Sequence, residues 1–232
     1  MKCWCNHDTQ SCFHPDYEIC VFCGTFVSKK NTPDDFYSFK NYWHDRQLNK
    51  YGFPPIEQRA KNDFMDRIPF WYENIKELPI KSVLEIGGAH GGFLHYCKIR
   101  GIGKCTGIEI DKDTCKFAEE SFGLDMICGE FPNIEINEQY DLVCAFDVLE
   151  HFKNPYVSLL KMKLLGNKVM IQTPCYRKEG LNFPHFNAEE HLFIFTETSL
   201  ILLFRGAGLH ITKSIKGFFA NDITLIGESS NL

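Results

Sequence analysis

Ser82-Val-Leu-Glu-Ile-Gly-Gly-Ala-His-Gly-Gly-Phe-Leu94 is the stretch whose reading decides the fold. Val83, Leu84 and Ile86 form a short apolar run, the pattern of a strand covered on both faces of a sheet. Gly87, Gly88, Gly91 and Gly92 then crowd a turn, and Phe93, Leu94 and Cys97 follow at helical spacing. One acidic residue, Glu85, stands near the strand's end, just before the turn. A strand, a glycine turn and a helix start form the opening unit of an α/β fold that binds a nucleotide at the turn.

Outward from this unit, toward the C-terminus, strand and helix patterns alternate. Strands are predicted at 105–110, 124–128, 140–146 and 167–172, and helices at 112–122, 155–165 and 198–207. Pro155 suits a first helical turn. Segments 210–214 and 222–227 read as a closing antiparallel pair. The expected fold class is therefore α/β, with a Rossmann-like, seven-stranded, mostly parallel sheet and helices on both faces. Toward the N-terminus, Ile56, Ala60, Phe64, Ile68 and Trp71 share one face of a helix over 56–78, which Pro69 breaks or kinks. Segment 27–33 reads as loop, and the aromatics Phe36, Tyr37, Phe39, Tyr42 and Trp43 lead to Pro54-Pro55.

The 232 residues fit one main domain with a small appendage: a zinc-binding module and aromatic linker over 1–55, and the α/β domain over 56–232. Hydrophobic residues make up 44% and the net charge is −5, so the chain is a packed globule and an extended polyanion such as nucleic acid is a disfavoured partner. No apolar run reaches the roughly 18 residues that span a bilayer, and the first residues lack the apolar core of a secretory signal. A cytoplasmic location is expected.

Five of the eleven cysteines lie within the first 23 residues, and the other six are scattered in apolar surroundings as reduced core thiols. Cys3-Trp-Cys5 and Cys20-Val-Phe-Cys23-Gly24 are two thiol pairs whose spacing fits a tetrahedral zinc ion. Metal binding would supply the stability that so short a segment lacks. The expected ligands are Cys3, Cys5, Cys20 and Cys23, with His7, Cys12 and His14 in reserve. Four thiolates leave no open position, so this zinc is structural. The competing readings are a reduced cysteine-rich arm or a redox pair at Cys20 and Cys23.

A nicotinamide dinucleotide site needs glycine at 87, 89 and 92, but residue 89 is alanine. Glu85-x-Gly87-x-x-x-Gly91 stands there instead. Its carboxylate would repel pyrophosphate and suits a ligand that carries an ammonium group and a sulfonium. This pattern resembles motif I of the class I S-adenosylmethionine-dependent methyltransferases, and the likeness extends over residues 56–228. It implies that Glu109, followed by Ile110, holds the ribose hydroxyls of the donor, and that Gly129-Glu130 lies at its adenine. Phe146-Asp147-Val148-Leu-Glu-His151 is similar to the family's segment at the methionine end and the methyl group. Residues 170–174 resemble the family's substrate-facing strand exit, and 190–196 a segment of its small-molecule O-methyltransferases. Gly87, Gly88 and Gly91 form the donor's turn. His90 is a departure that either contacts the donor's carboxylate or faces solvent.

The N-terminal part resembles a subset of the family with a zinc ribbon ahead of the fold, whose members act on sugars, including nucleotide-linked sugars, and on similar hydroxylated metabolites. The expected activity is transfer of a methyl group from S-adenosylmethionine to such a hydroxyl, with His151 or His191 as general base and His185 nearby in sequence. Arg177 and Lys178 either hold a substrate phosphate or are merely solvated. Alternatives are C- or N-methylation, a protein or nucleic-acid methyltransferase docking through the zinc module, and a donor-binding protein without catalysis. The D/N-P-P-Y/F motif of amine methylation is absent, and residues 1–50 carry balanced charge.

Overall fold

The computed structural model describes residues 1–33 and 35–229; the last three residues of the expected 56–232 domain lie outside them. In chain order the strands and α-helices are β1 (Thr9–Ser11), β2 (Tyr17–Cys20), β3 (Phe26–Ser28), α1 (Ile56–Met65), α2 (Arg67–Glu73), β4 (Ser82–Ile86), α3 (Gly92–Ile99), β5 (Lys104–Glu109), α4 (Lys112–Phe122), β6 (Asp125–Cys128), β7 (Tyr140–Phe146), α5 (Pro155–Leu165), β8 (Gly166–Pro174), β9 (Phe193–Ile194), α6 (Glu197–Gly206), β10 (Leu209–Lys216) and β11 (Asp222–Ser229). A mostly parallel seven-stranded sheet runs in the order β10-β11-β8-β7-β4-β5-β6, as the alternation predicts. A second, four-stranded sheet has the order β1-β2-β3-β9. The chain divides into two compact units, Pro33–Cys144 and Met1–Thr32 with Ala145–Leu232.

In the Pro33–Cys144 unit, Val83, Leu84 and Ile86 are buried to 1% exposure or less. β4 pairs in parallel with β5, and β5 with β6. Asp111 starts α4 by accepting the Thr114 N–H at 2.8 Å, and Gly123 ends it in the left-handed region at φ 59°. The helix expected over 56–78 is two helices, and the break falls at Asp66, not at Pro69. Asp66 leaves helical geometry and its carboxylate accepts the Arg67 N–H, so it caps α2. Pro69 then lies in the first turn, where a missing N–H costs nothing. Phe39–Lys50 winds as a π-helix, started by the Ser38 hydroxyl on Asn41 N–H.

In the other unit, β11 runs antiparallel to both β8 and β10, with Ile171 opposite Leu225. Asn154 caps α5, with Pro155 in its first turn, and Thr196 and Ser199 form a reciprocal cap on α6. Val27 and Ser28, expected as the start of a loop, belong to β3, because Phe26 and Val27 find partners in Ile194 and Phe193 far along the chain. Local pattern carries no record of such a partner. Tyr17, Phe26, Phe183, Ala188 and Ile194 form a small core between this sheet and the 183–194 segment. Among the described residues, no helix is long and apolar enough to cross a membrane.

Candidate functional site

Three polar constructions stand out, each within one unit. The first is the glycine turn after β4. Gly87 and Gly88 donate to the Ile108 carbonyl at 2.8 and 3.0 Å, which anchors the turn on the end of β5. Gly91 sits at φ 75°, and a Cβ there would lie 2.4 Å from Leu124 Cδ1, so only glycine fits where α3 starts against the fold. Ala89 adopts φ 47°, an uncommon conformation for a residue with a side chain. Glu109 closes the turn from the next strand. Its Oε2 accepts Ala89 N–H at 3.1 Å, and its Oε1 accepts Ile110 and Asp111 N–H at 2.8 and 3.2 Å. A carboxylate has about four acceptor sites, so Oε2 keeps capacity for a ligand hydroxyl. Burial pushes the Glu109 carboxyl up, against the pull of those amides.

Glu85 is 5% exposed, and its Oε2 has no hydrogen-bond partner. Burial pushes its carboxyl well up, and the Glu109 charge adds to this, while Arg67 pulls it down. An orphaned buried carboxylate is costly and is what a cationic ligand group would satisfy. His90 does not face solvent, being 4% exposed, which removes that one of the two alternatives. Gly92 N–H donates to its Nδ1 at 3.0 Å, which places the proton on Nε2, and Nε2 donates to Asp63 Oδ2 at 2.8 Å. Arg67 also binds Asp63, and Arg59 approaches it at 3.8 Å. His90 thus holds the turn to α1. Asp63 escaped the sequence reading because it lies on the apolar face of α1; Arg59 and Arg67 four residues to either side were its available signal. Beyond β6, Gly129 N–H donates to the Glu109 carbonyl at 2.9 Å, and Glu130 is exposed.

The second construction surrounds His151. Asp147 follows β7 at φ 57°, and its Oδ1 accepts from Gln172 at 3.2 Å. Val148 and the 3-10 turn Leu149–His151 come next. His151 Nδ1 donates to the Glu190 carbonyl at 2.8 Å, and His191 Nδ1 to the His185 carbonyl at 2.6 Å. The two rings are 5.0 Å apart. Burial holds His191 well below the usual histidine range, as do the charges of His151 and His185. The structure therefore brings the two expected bases together, 40 residues apart in sequence. Glu150, which sequence reasoning passed over, is 1% exposed beside them, and Thr173 Oγ1 donates to its Oε2 at 2.8 Å. Its position inside the Asp147–His151 motif was the signal. Burial, then Asp147 and Glu190, push its carboxyl well up. Arg177 donates to the Asp222 and Cys175 carbonyls at 3.0 and 3.4 Å.

The third construction is the thiol cluster. The Sγ atoms of Cys3, Cys5, Cys20 and Cys23 all lie within 4.8 Å of one another. Cys3–Cys23, Cys5–Cys20 and Cys5–Cys23 are 3.6, 3.5 and 3.6 Å apart. Tetrahedral zinc with bonds of about 2.3 Å separates its sulfurs by about 3.8 Å, so the set fits that ion. The Cys3 hydrogen bond pulls Cys23 down to about 5, and burial pushes Cys5 up to about 11. The reserves lie elsewhere: His7 donates to the Cys5 carbonyl and stacks on Phe22, while Cys12 Sγ donates to the Tyr17 carbonyl. The sheet this cluster heads also reaches the histidines. Tyr17 Oη donates to the His191 carbonyl at 2.9 Å, and Ser28 Oγ to the Ala188 carbonyl at 2.6 Å.

Residues 42–214 match the methyltransferase domain family, well over half of the chain. Among curated proteins, no sequence matches it. Solved structures with the same fold include an S-adenosylmethionine-dependent methyltransferase of Clostridium acetobutylicum, 12% identical over 74% of this chain and 94% of that one, with a TM-score of 0.58. Magnesium protoporphyrin IX methyltransferase of Synechocystis with bound SAH is 15% identical over 84% and 97%, with a TM-score of 0.61. The N-terminal domain of EvdMO1, solved in the presence of SAH and D-fucose, is 16% identical over 75% and 95%, with a TM-score of 0.55. The protein thus has the fold of the S-adenosylmethionine-dependent methyltransferases, belongs to the methyltransferase domain family and is a methyltransferase.

Proposed function

We propose that the protein transfers the methyl group of S-adenosylmethionine to a hydroxyl of a sugar, free or nucleotide- or carrier-linked, or of a similar small cytoplasmic metabolite. The observation that carries this reading is the His151–His191 pair. A backbone carbonyl only accepts, so each ring keeps its proton on Nδ1 and presents Nε2 as the basic nitrogen. Burial keeps His191 neutral, which suits an acceptor of a hydroxyl proton. A structural neighbour solved with D-fucose supports a sugar acceptor.

On the donor side, Glu85 takes the ammonium group and Glu109 the ribose diol, with Gly87, Gly88 and Gly91 letting the donor approach the backbone. Ile110, 41% exposed, offers an apolar contact to the adenine, with Gly129 and Glu130 beyond it. Asp147 and Val148 serve the methionine end, and His90 sets the turn's shape. Cys3, Cys5, Cys20 and Cys23 hold a structural zinc. In this reading residues 1–55 are the zinc-bearing module with its aromatic linker, and 56–232 the transferase domain.

The donor arrives activated as a sulfonium, so the protein's work is alignment, exclusion of water and removal of one proton. The test is calorimetry with S-adenosylhomocysteine, followed by transfer of labelled methyl to a panel of sugars and nucleotide sugars. Micromolar binding of the product and an O-methylated sugar are expected. A methyl group found on nitrogen or carbon overturns the acceptor assignment, and failure to bind the product overturns the donor assignment.

A further inference from the structure

Glu150, His151 and His191 meet in a way that a general base alone does not require. Each offers one metal-ligating atom, and the three atoms lie within 4.8 Å of one another. Glu150 Oε1 is buried and has no hydrogen-bond partner, while its other oxygen is held by Thr173. It faces His151 Nε2 at 3.8 Å. Both histidines donate Nδ1–H to a backbone carbonyl, of Glu190 and of His185. That second bond is the usual support of a metal-binding imidazole, because it fixes the tautomer that turns the Nε2 lone pair inward. Three ligand atoms therefore converge, from one carboxyl group and two imidazole rings. A further buried carboxyl lies close by: Asp222, 1% exposed with both oxygens lacking a hydrogen-bond partner, stands 3.9 Å from His185 Nε2.

We propose that Glu150, His151 and His191 form a divalent-metal site of the two-histidine, one-carboxylate type, separate from the thiol cluster. Bonds of about 2.0–2.2 Å need these ligands somewhat closer than they stand here, a closure that rotation of three side chains supplies. Imidazole and carboxylate together select a first-row cation such as Mn²⁺, Co²⁺ or Zn²⁺. Three protein ligands leave open positions, which a vicinal pair of sugar hydroxyls fills by chelation. This last step rests on the hydroxyl-methylation reading above. The cation lowers the pKa of the bound hydroxyl, and the proton passes to solvent water. The alkoxide oxygen's electron pair then forms the C–O bond to the methyl carbon. The C–S bond breaks with its pair retained by sulfur, leaving a neutral thioether, and the cation keeps its oxidation state throughout. With the cation bound, the two histidines promote loss of that proton through the metal; in the metal-free protein they remain the bases named above.

The test uses the full chain, stripped by chelator, loaded with one equivalent of Zn²⁺ to fill the thiol cluster, and then titrated with Co²⁺. One further equivalent with visible ligand-field bands and no thiolate charge transfer is expected. Glu150→Gln and His191→Asn should each weaken it at least 100-fold while retaining the zinc equivalent and a native circular dichroism spectrum. X-ray absorption of the wild-type cobalt adduct should show nitrogen and oxygen ligands only, a readout that does not depend on any variant folding. No second equivalent, sulfur in its shell, or unchanged affinity in both folded variants overturns the site. Transfer assays separate this from the functional reading. Full hydroxyl methylation after complete chelation overturns the metal's role and leaves that reading standing. A bound second metal with no hydroxyl methylation overturns that reading and leaves the site standing.

Discussion

Around the glycine turn, the polar partners described above come from residues 59–129, and most of them from one strand, one turn and the next strand's end. Around His151 the partners come from 147–151, 172–173, 185–191 and 222, with the N-terminal sheet braced behind them through Tyr17 and Ser28. The first region is closed within its own stretch of chain. The second exists only when segments more than 170 residues apart meet, as Tyr17 and His191 do. Local construction makes the turn legible and robust. Non-local construction makes the histidine cluster depend on distant parts of the molecule, and that difference can be attacked directly.

The largest effect should come from the cluster itself. His191→Ala is expected to lower the transfer rate by about 10²–10⁴-fold, the range of one acid–base or metal-ligating group, while the Kd for S-adenosylhomocysteine stays within about threefold. Near-full turnover in both His191→Ala and His151→Ala would remove the cluster from the chemistry.

Next is the brace. Cys20→Ser, or removal of the zinc proposed for the thiol cluster, should loosen the sheet that includes β9 and binds the His191 carbonyl through Tyr17. A displacement on the order of 1 Å at a reacting group costs roughly 10²-fold in rate, so turnover should fall by that order. Product binding, measured by calorimetry, should change far less. Equal losses in both would show that the two regions are not independently built.

Glu85→Gln probes the other region. Losing a charge-assisted bond of about 1.5–3 kcal/mol should weaken donor binding about 10- to 100-fold. Thermal stability of the free protein should not fall, because the variant removes an unpartnered buried carboxylate. A large drop in melting temperature with unchanged affinity would assign Glu85 to the core.

The smallest effect is a pH dependence of stability centred on His90. Burial holds its folded pKa below the ordinary value of 6.5, against the pull of Asp63. Below about 6.5 the unfolded chain binds more protons than the native state, so stability is full above that pH and is lost as pH falls toward the folded value. Asp63 adds to this at lower pH. Burial raises it, but the His90 hydrogen bond and Arg67 win and hold it below 3.8. Its contribution is present above 3.8 and is lost as pH falls through the folded value. Denaturant midpoints of the wild type and His90→Gln between pH 7.5 and 4.5 should converge toward acid; parallel curves would clear His90 of this role.

Much of the α/β scaffold was legible because its signals are local. α4, α5 and β7 fall where caps, prolines and apolar runs placed them, and β4 with its glycine turn follows from a few consecutive residues. The four clustered thiols were legible for a related reason: metal-ligand spacing is written along the chain. The features that escaped were set at a distance or by a single cap. β3 is a strand because β9 exists, and Asp66 rather than Pro69 breaks the helix because its carboxylate caps α2.

The amino-acid sequence alone therefore determined the order of the seven strands of the main sheet and of helices α3 to α6, the glycine turn after β4, and the two thiol pairs, since each depends on neighbours within a few residues. The tertiary structure alone decided that His90 turns inward to Asp63, that His151 and His191 stand 5.0 Å apart over a buried Glu150, and that the thiol-bearing sheet holds the His191 backbone. The physical reason is that burial, and the matching of a polar atom to a partner, belong to the folded arrangement and have no counterpart in the local pattern of residues.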